Sequence, residues 1–158
     1  TAPRIPQFYV GDELLFTSPT KDRDDASYRI PFPGGWAGDK VNAFTGVGLK
    51  DKPRAAQAFV RKLTNWRKSQ PVIHSGRMMH YGPQNNTYVY FRYNADKKVL
   101  VAFNNHAKEM ALDVDRFREM LTGVTSGVDV LTGKTFDLRS TLTLPAGASV
   151  ILELEAAR

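Results

Sequence analysis

The stretch Ile5-Pro6-Gln7-Phe8-Tyr9, followed by Gly11-Asp12-Glu13, decides the fold class of the N-terminal region. The apolar run predicts a buried strand at about residues 5–10, and Gly-Asp-Glu turns the chain outward at the end of that strand. Residues 17–49 then form a loop rich in Gly, Pro, Asp and Ser, and a loop of this length in a compact domain is usually functional. A strand, a long loop and a helix in this order are typical of the end of a (β/α)8 barrel. We therefore expect the chain to be the C-terminal part of a larger enzyme.

The clearest helix is predicted over residues 52–69. Asp51 is placed to act as its N-cap, and Pro53 lies in the first turn, where proline is tolerated. Pro71 is expected to end it. Apolar side chains recur at three- and four-residue steps and form one stripe on this helix: Ala56, Phe59, Val60, Leu63 and Trp66.

Short strands follow the helix. Tyr88–Tyr93 and Lys98–Asn104 flank a turn of Asn94–Lys97, which predicts a hairpin. Further short strands are predicted at Glu109–Val114, Gly127–Leu131, Lys134–Phe136, Thr141–Leu144 and Ser149–Leu154, with one helical turn at Arg116–Leu121. A spacing of ~8–12 residues between strands predicts an antiparallel β-sandwich.

The expected fold is therefore mainly β: an antiparallel β-sandwich preceded by one helix and a remnant of a (β/α)8 barrel. Residues 1–70 would be the last strand, loop and helix of the barrel, and residues 71–158 the sandwich.

Composition and charge limit the class of partner. Of the 158 residues, 42% are hydrophobic and 24% are charged, which favours a packed core over disorder. No apolar run approaches the ~20 residues of a membrane span, so we expect no membrane partner. Cysteine is absent, which excludes disulfides and thiolate metal sites.

The net charge of +6 is concentrated in the first half of the chain. Residues 1–70 hold 12 Lys and Arg against 7 Asp and Glu, whereas residues 71–158 hold 10 against 9. A basic helix can bind phosphates, and a nucleic-acid binder would show steep salt dependence. The apolar stripe of the helix and the nearly neutral second half favour a solvated helix face instead, so we expect no nucleic-acid partner.

Two neighbouring carboxylates are candidates for catalysis. Asp12 and Glu13 are adjacent, so on an extended chain they point to opposite sides and cannot face one bond, whereas a retaining glycosidase needs carboxyls roughly 5–5.5 Å apart. A structural role for Glu13 is favoured.

No metal or cofactor is expected. Counting from Asp22, an EF-hand needs Gly at position six and Glu at position twelve, and Ser27 and Pro33 stand there. The histidines, which have no metal-ligand spacing, are His74, His80 and His106.

One loop segment suits sugar recognition. Asp25 and Arg29 lie four residues apart among aromatic residues that include Trp36. Charged groups bond sugar hydroxyls and flat rings pack on the apolar faces of pyranose rings. A surface ion pair beside a small loop core is an equally open interpretation.

The predicted hairpin carries four aromatic residues. Tyr88 and Tyr90 share one face of its first strand, and Phe91 and Tyr93 share the other. One face should belong to the core, so core packing is favoured and at most two rings remain for a ligand.

The residues also resemble a known family. Ile5–Tyr9 with Gly11-Asp12-Glu13 resembles the eighth-strand motif of alpha-amylase family glycoside hydrolases. Segments similar to bacterial cyclomaltodextrinases and neopullulanases are Phe32–Trp36, Gly38-Asp39, Asn42–Phe44, Phe59–Leu63, Asn65–Arg67, Gln70-Pro71 and Val128–Lys134. One departure is Arg4, where the family usually has Gly, which puts the packing at the start of the strand in doubt.

The resemblance implies a parent enzyme with an N-terminal β-domain, a catalytic barrel and this C-terminal sandwich. It would hydrolyse cyclodextrins, pullulan or maltooligosaccharides with retention, in the periplasm or cytoplasm of a bacterium, and a homo-oligomer is left open. The loop at 12–45 would edge the glucan cleft, with Asp25 and Arg29 contacting glucose and Trp36 shaping the wall.

The catalytic Asp, Glu and Asp of the family lie on earlier strands. None maps onto this sequence, so we expect no catalytic residue here and no activity from the chain alone. The alternative is a non-catalytic carbohydrate-binding or structural β-sandwich module.

Overall fold

A computed structural model describes residues 1–21 and 25–156. Asp22, from which the metal loop considered above is counted, lies outside the described residues. The chain separates into two compact units. One is Ile5–Thr64, and the other contains Thr1–Arg4 together with the chain from Asn65 onward. No helix in the described ranges is long and apolar enough to cross a membrane.

The strand predicted at residues 5–10 is wrong for this structure. These residues have no regular secondary structure, and Ile5 is 93% exposed. A strand needs backbone partners, and within the described part of the chain no strand pairs with this segment. The chain instead turns at Gly11, whose φ of 93° favours glycine, into a 3-10 turn over Asp12–Leu14.

The predicted helix is confirmed as α1, which spans Asp51–Lys68. Asp51 is its first residue rather than its N-cap, because the first helical hydrogen bond runs from the Arg54 N–H to the Lys50 carbonyl oxygen. A second short helix, α2, spans Pro71–His74 and was not predicted. Pro71 thus follows the end of α1 and begins α2, as its fixed φ allows.

The described part of the chain contains eight strands, seven of which were predicted, and they form the predicted antiparallel β-sandwich. They are β1 Arg77–His80, β2 Thr87–Tyr93, β3 Lys98–Asn104, β4 Met110–Asp113, β5 Val124–Asp129, β6 Thr135–Asp137, β7 Thr141–Leu144 and β8 Ser149–Ala156. A six-stranded sheet has the order β1-β2-β3-β8-β5-β6, a second sheet pairs β4 with β7, and all pairings are antiparallel. The β2–β3 hairpin is confirmed, whereas β1 was not predicted.

The core lies between the two sheets. A 3-10 turn at Val114–Phe117 and the short helix α3, Arg118–Leu121, close one side of it, where a helical turn was predicted. The six-stranded sheet contributes alternate residues of its strands, since side chains alternate between faces. Fully buried members include Phe91, Leu100, Leu152, Phe117, Leu142 and Leu144.

The opposite face of the six-stranded sheet, which we call the second face, is also largely buried. Val99, Val101 and Arg92 are each no more than 1% exposed. Helix α2 packs beside β2, and Thr1 and Trp66 hydrogen-bond to side chains of this face. Burial on both faces explains why β2 and β3 read as nearly continuous apolar runs.

Candidate functional site

The loop that precedes α1 has a fixed backbone around Asn42. This residue forms antiparallel bridges with both Gly34 and Val47, and its N–H donates to the Val47 carbonyl oxygen at 2.9 Å. Its Oδ1 accepts the N–H groups of Phe44 and Thr45 at 3.0 and 3.1 Å. Asn42 therefore connects three backbone segments. These contacts stabilise the loop although it has no regular secondary structure.

This frame presents Trp36 to solvent. The Asp39 carboxylate accepts the backbone N–H groups of Gly35 and Trp36 at 3.0 and 2.9 Å. Gly35 has a φ of 83°, and a Cβ there would lie 2.2 Å from Asn42 Nδ2, so the turn requires glycine. The Trp36 side chain is 73% exposed. An exposed ring on a fixed turn is suited to packing against a flat apolar surface.

Asp25 and Arg29 lie at the two ends of one short turn. A 3-10 turn spans Asp25–Tyr28, and the Arg29 N–H donates to the Ala26 carbonyl oxygen at 3.2 Å. Both side chains are exposed. Across the described residues the ion pairs are Lys97–Glu153 and Asp137–Arg139, so the surface ion pair considered above for Asp25 and Arg29 is not formed. Trp36 lies on a separate turn.

Asp12 has a structural contact. Its Oδ2 accepts the Tyr9 N–H at 3.1 Å, while the adjacent Glu13 is half-buried in the same turn. The carboxylate therefore stabilises the turn that replaces the predicted strand end. Of the histidines, His74 and His80 are exposed, and no group of three or more metal-ligating side chains gathers within residues 1–21 and 25–156.

An aromatic patch, formed by Tyr88, Tyr90 and Phe103, lies on the second face. The rings of Tyr88 and Phe103 are 6.3 Å apart and nearly parallel, at 14°, and Tyr90 is 5.7 Å from Tyr88. Tyr90 is hydrogen-bonded to the Thr1 hydroxyl, and burial raises the pKa of its phenol. Phe103 stays 37% exposed. Phe103 was not predicted to join this group, although the hairpin register pairs it with Tyr88.

Phe91 and Tyr93 take the other face, towards the core between the sheets. Core packing is thus confirmed for one pair of the hairpin aromatics. Tyr81 completes the core on this side with its ring 4.8 Å from Phe117, and burial together with a hydrogen bond to Glu119 raises its pKa.

Asp129 is the buried carboxylate of the Val128–Lys134 segment. It is 3% exposed, and its Oδ1 accepts the Ile151 N–H at 3.1 Å. Its Oδ2 accepts both the N–H and the hydroxyl of Thr132, at 2.9 and 2.6 Å. Each of these contacts brings a donor to the buried carboxylate, so the residue fixes the β5–β6 turn and its attachment to β8.

The chain is similar to a known domain family and to several solved structures. Residues 78–153 match the family model of the cyclo-malto-dextrinase C-terminal domain. The fold is similar to that of AmyP in complex with maltose, with a TM-score of 0.60 and 18% identity over 71% of this chain and 23% of that one. It is also similar to the alpha-amylase GTA of Geobacillus thermoleovorans complexed with acarbose, with a TM-score of 0.57 and 13% identity over 70% of this chain and 24% of that one.

A third similar structure is the trehalulose synthase MutB from Pseudomonas mesoacidophila MX-45. Its TM-score is 0.54 at 19% identity, over 78% of this chain and 21% of that one. The chain therefore spans less than a quarter of each of these proteins. Residues 78–153 thus match the cyclo-malto-dextrinase C-terminal domain, in a β-sandwich fold shared with alpha-amylases of known structure.

Proposed function

We propose that this chain is the C-terminal part of a retaining α-glucan hydrolase of the cyclomaltodextrinase or neopullulanase type. Its substrates would be cyclodextrins, pullulan or maltooligosaccharides. The observation that carries the proposal is the match of residues 78–153 to the cyclo-malto-dextrinase C-terminal domain. Residues 1–70 would complete the catalytic barrel, and residues 71–158 would support it as a sandwich.

Exposed apolar side chains in residues 5–15 support an upstream barrel as partner. Ile5 is 93% exposed, and Phe8, Val10 and Leu15 are each more than half exposed. Contiguous exposed apolar side chains usually mark a surface that another domain covers. Neighbouring barrel strands would bury these side chains and pair with the backbone of this segment.

In this proposal the loop residues bind sugar and the chemistry is done upstream. Asp25 accepts hydrogen bonds from glucose hydroxyls and Arg29 donates them, while the exposed indole of Trp36 packs on the apolar face of a glucose ring. The reaction needs a nucleophilic carboxylate and a carboxylic acid across the glycosidic bond. No catalytic residue is assigned to this chain, so its part is to position the substrate.

The test is kinetic and uses the longer protein that carries these residues. Trp36→Ala and Arg29→Ala should each lower kcat/KM on β-cyclodextrin by roughly 10- to 100-fold, because each removes a contact of about 1–3 kcal/mol. The melting temperature should stay unchanged, since both side chains are exposed. Lys40→Ala, an exposed change in the same loop, is the control. Equal kcat/KM values for all three variants would show that Trp36 and Arg29 do not contact the substrate.

The second candidate is a carbohydrate-binding module, and the aromatic patch favours it. Tyr88 and Phe103 present stacked rings, and Phe103 is partly exposed. Such a module would bind maltoheptaose without cleaving it, and Phe103→Ala would abolish the binding heat in calorimetry. Binding that survives Phe103→Ala but not Trp36→Ala would reject this candidate in favour of the loop.

A further inference from the structure

Two arginines, Arg92 on the second face and Arg67 in the last turn of α1, have buried donors without partners. Arg92, on β2, is 1% exposed, and two of its nitrogens are satisfied: Nη1 donates to the Thr1 carbonyl oxygen at 3.2 Å and Nη2 to the Gly76 carbonyl oxygen at 2.7 Å. Its Nε–H is buried and has no hydrogen-bond acceptor. A guanidinium can only donate, so this nitrogen needs an oxygen that the described residues do not supply.

Arg67, in the last turn of α1, repeats the pattern. Its Nη2 donates to the Arg4 carbonyl oxygen at 3.3 Å, and its Nη1 is buried without an acceptor. Both guanidinium groups therefore hold the backbone of residues 1–4 with one nitrogen and leave another unsatisfied.

The two guanidinium groups lie close enough to affect each other's charge. Burial lowers the pKa of Arg92, and the positive charge of Arg67 adds to that effect. In residues 1–21 and 25–156 the acidic partners of ion pairs are Glu153 and Asp137, and neither pairs with these two arginines. Buried charged groups in folded proteins are normally paired and hydrogen-bonded.

We propose that Arg67 and Arg92 together form a binding site for an oxyanion, a carboxylate or a phosphate. Such a group offers at least two oxygens, one for the Nε–H of Arg92 and one for the Nη1–H of Arg67, and its charge balances the cations around it. The carboxylate can come from an acidic side chain elsewhere in a longer protein or from a free anion.

The first experiment follows the Arg92 Nε–H resonance by ¹⁵N NMR in the 158-residue chain. Sodium formate and sodium phosphate are titrated at constant ionic strength, with sodium chloride as the reference. A saturable shift of this resonance with formate or phosphate, and not with chloride, is the expected result. A resonance that responds only to ionic strength would overturn the proposal.

Matched variants separate the site from general charge effects. Arg67→Gln should weaken anion binding at least tenfold, whereas Arg61→Gln, which removes the same charge from an exposed position of the same helix, should leave it unchanged. Arg92→Lys should abolish binding, but Arg92 is buried and that variant can fail to fold, so the Arg67 and Arg61 pair decides. Equal weakening by both glutamine variants would contradict a built site.

The same titration in the longer protein identifies the source of the oxyanion. This experiment rests on the proposed function. A resonance already at the anion-bound position, and insensitive to formate, identifies an internal carboxylate. A resonance that still titrates identifies a free anion. Both outcomes require the site, whereas an unresponsive resonance at the anion-free position in both proteins rejects it. Since the 158-residue titration needs no hydrolysis, failure of the site and failure of the proposed function are distinguishable.

Discussion

The indole Nε1 of Trp66 donates a hydrogen bond of 2.5 Å to Oε1 of Glu153, which lies 87 residues later in the chain. Lys97 Nζ contacts the same carboxylate oxygen at 2.9 Å and donates to Gln70 Oε1 at 2.8 Å. Trp66 belongs to the last turn of α1, whereas Glu153 lies on β8. This network therefore fastens the end of the helix to the second face of the sheet through polar contacts as well as packing.

Removing the indole donor should destabilise the sandwich. Trp66→Phe keeps an aromatic ring but leaves Glu153 without one of its donors, and hydrogen bonds to charged groups contribute about 1.5–3 kcal/mol. We expect the free energy of unfolding in urea to fall by about 2 kcal/mol. Trp36→Phe changes the exposed tryptophan in the same way and should have almost no effect. Equal losses in the two variants would contradict the assigned contact.

Glu153 should make stability depend on pH in the acid range. Burial would raise the pKa of this carboxyl, but the hydrogen bonds from Trp66 and Lys97 together outweigh burial, so its pKa lies below the ordinary value of 4.5. A group with a depressed folded pKa contributes stability above its unfolded pKa and loses it as the pH falls through the folded value.

The stability gap between the wild type and Glu153→Gln should therefore be largest near neutral pH and shrink below about pH 4.5. Urea unfolding of both proteins over this range measures it. Asp137, whose pKa Arg139 lowers to about 2, titrates in the same direction. Asp137→Asn is thus the variant that shows how much of the remaining acid dependence belongs to that exposed pair. A gap that widens on acidification would mean that the folded protein raises the pKa of Glu153 instead of lowering it.

Gly76 should tolerate no side chain. A Cβ at this position would lie 2.2 Å from the Val72 carbonyl oxygen and 2.8 Å from that of Tyr93. Both contacts are to backbone, and forced overpacking typically costs about 1–3 kcal/mol. We expect Gly76→Ala to lose about 3 kcal/mol in chemical unfolding, while Gly82→Ala, where a Cβ would meet nothing within 4 Å, should stay within about 0.5 kcal/mol. Comparable stability of the two alanine variants would show that the backbone around Gly76 can shift to accommodate a methyl group.

Asn104 joins the end of β3 to the segments around it. It is 3% exposed, and its Nδ2 donates to the carbonyl oxygens of Lys108, Leu144 and Pro145 at 2.9, 3.3 and 2.8 Å. Asn104→Asp would place a buried carboxylate against three carbonyl oxygens, so we expect a loss of about 3 kcal/mol or more, measured by thermal unfolding at neutral pH. The neighbouring exposed Asn105→Asp is the control. A melting temperature unchanged by Asn104→Asp would refute the role of the amide.

The elements predicted correctly are those with a strong local pattern. The stripe from Ala56 to Trp66 predicted α1, and the Asn94–Lys97 turn between two apolar runs predicted the hairpin, where Asn94 Oδ1 accepts the N–H groups of Asp96 and Lys97. The strand at residues 5–10 was predicted on the same grounds and is absent. Its residues have the right propensity, but a strand exists only with neighbours, and a single segment carries no information about them.

Some residues of the candidate sites could likewise be named from the sequence, whereas others could not. Asp25, Arg29 and Trp36 could be named because charged and aromatic residues stand close together in sequence, and their role remains a proposal. The aromatic patch needs the pairing of Tyr88 with Phe103, which the hairpin register specifies. The unpartnered donors of Arg67 and Arg92 could not be predicted, because a sequence does not show which charges become buried or what lies beside them.

Reducing-sugar release from β-cyclodextrin, measured side by side for this chain and for the proposed longer protein, tests the central claim most directly. We expect no release from the 158 residues and steady release from the longer protein, because the catalytic carboxylates are proposed to lie upstream. Silence from both proteins would contradict the proposed glucan hydrolase. Release by this chain alone would contradict the upstream placement of the catalytic groups and make Asp12, Glu13 and Asp25 the next residues to mutate.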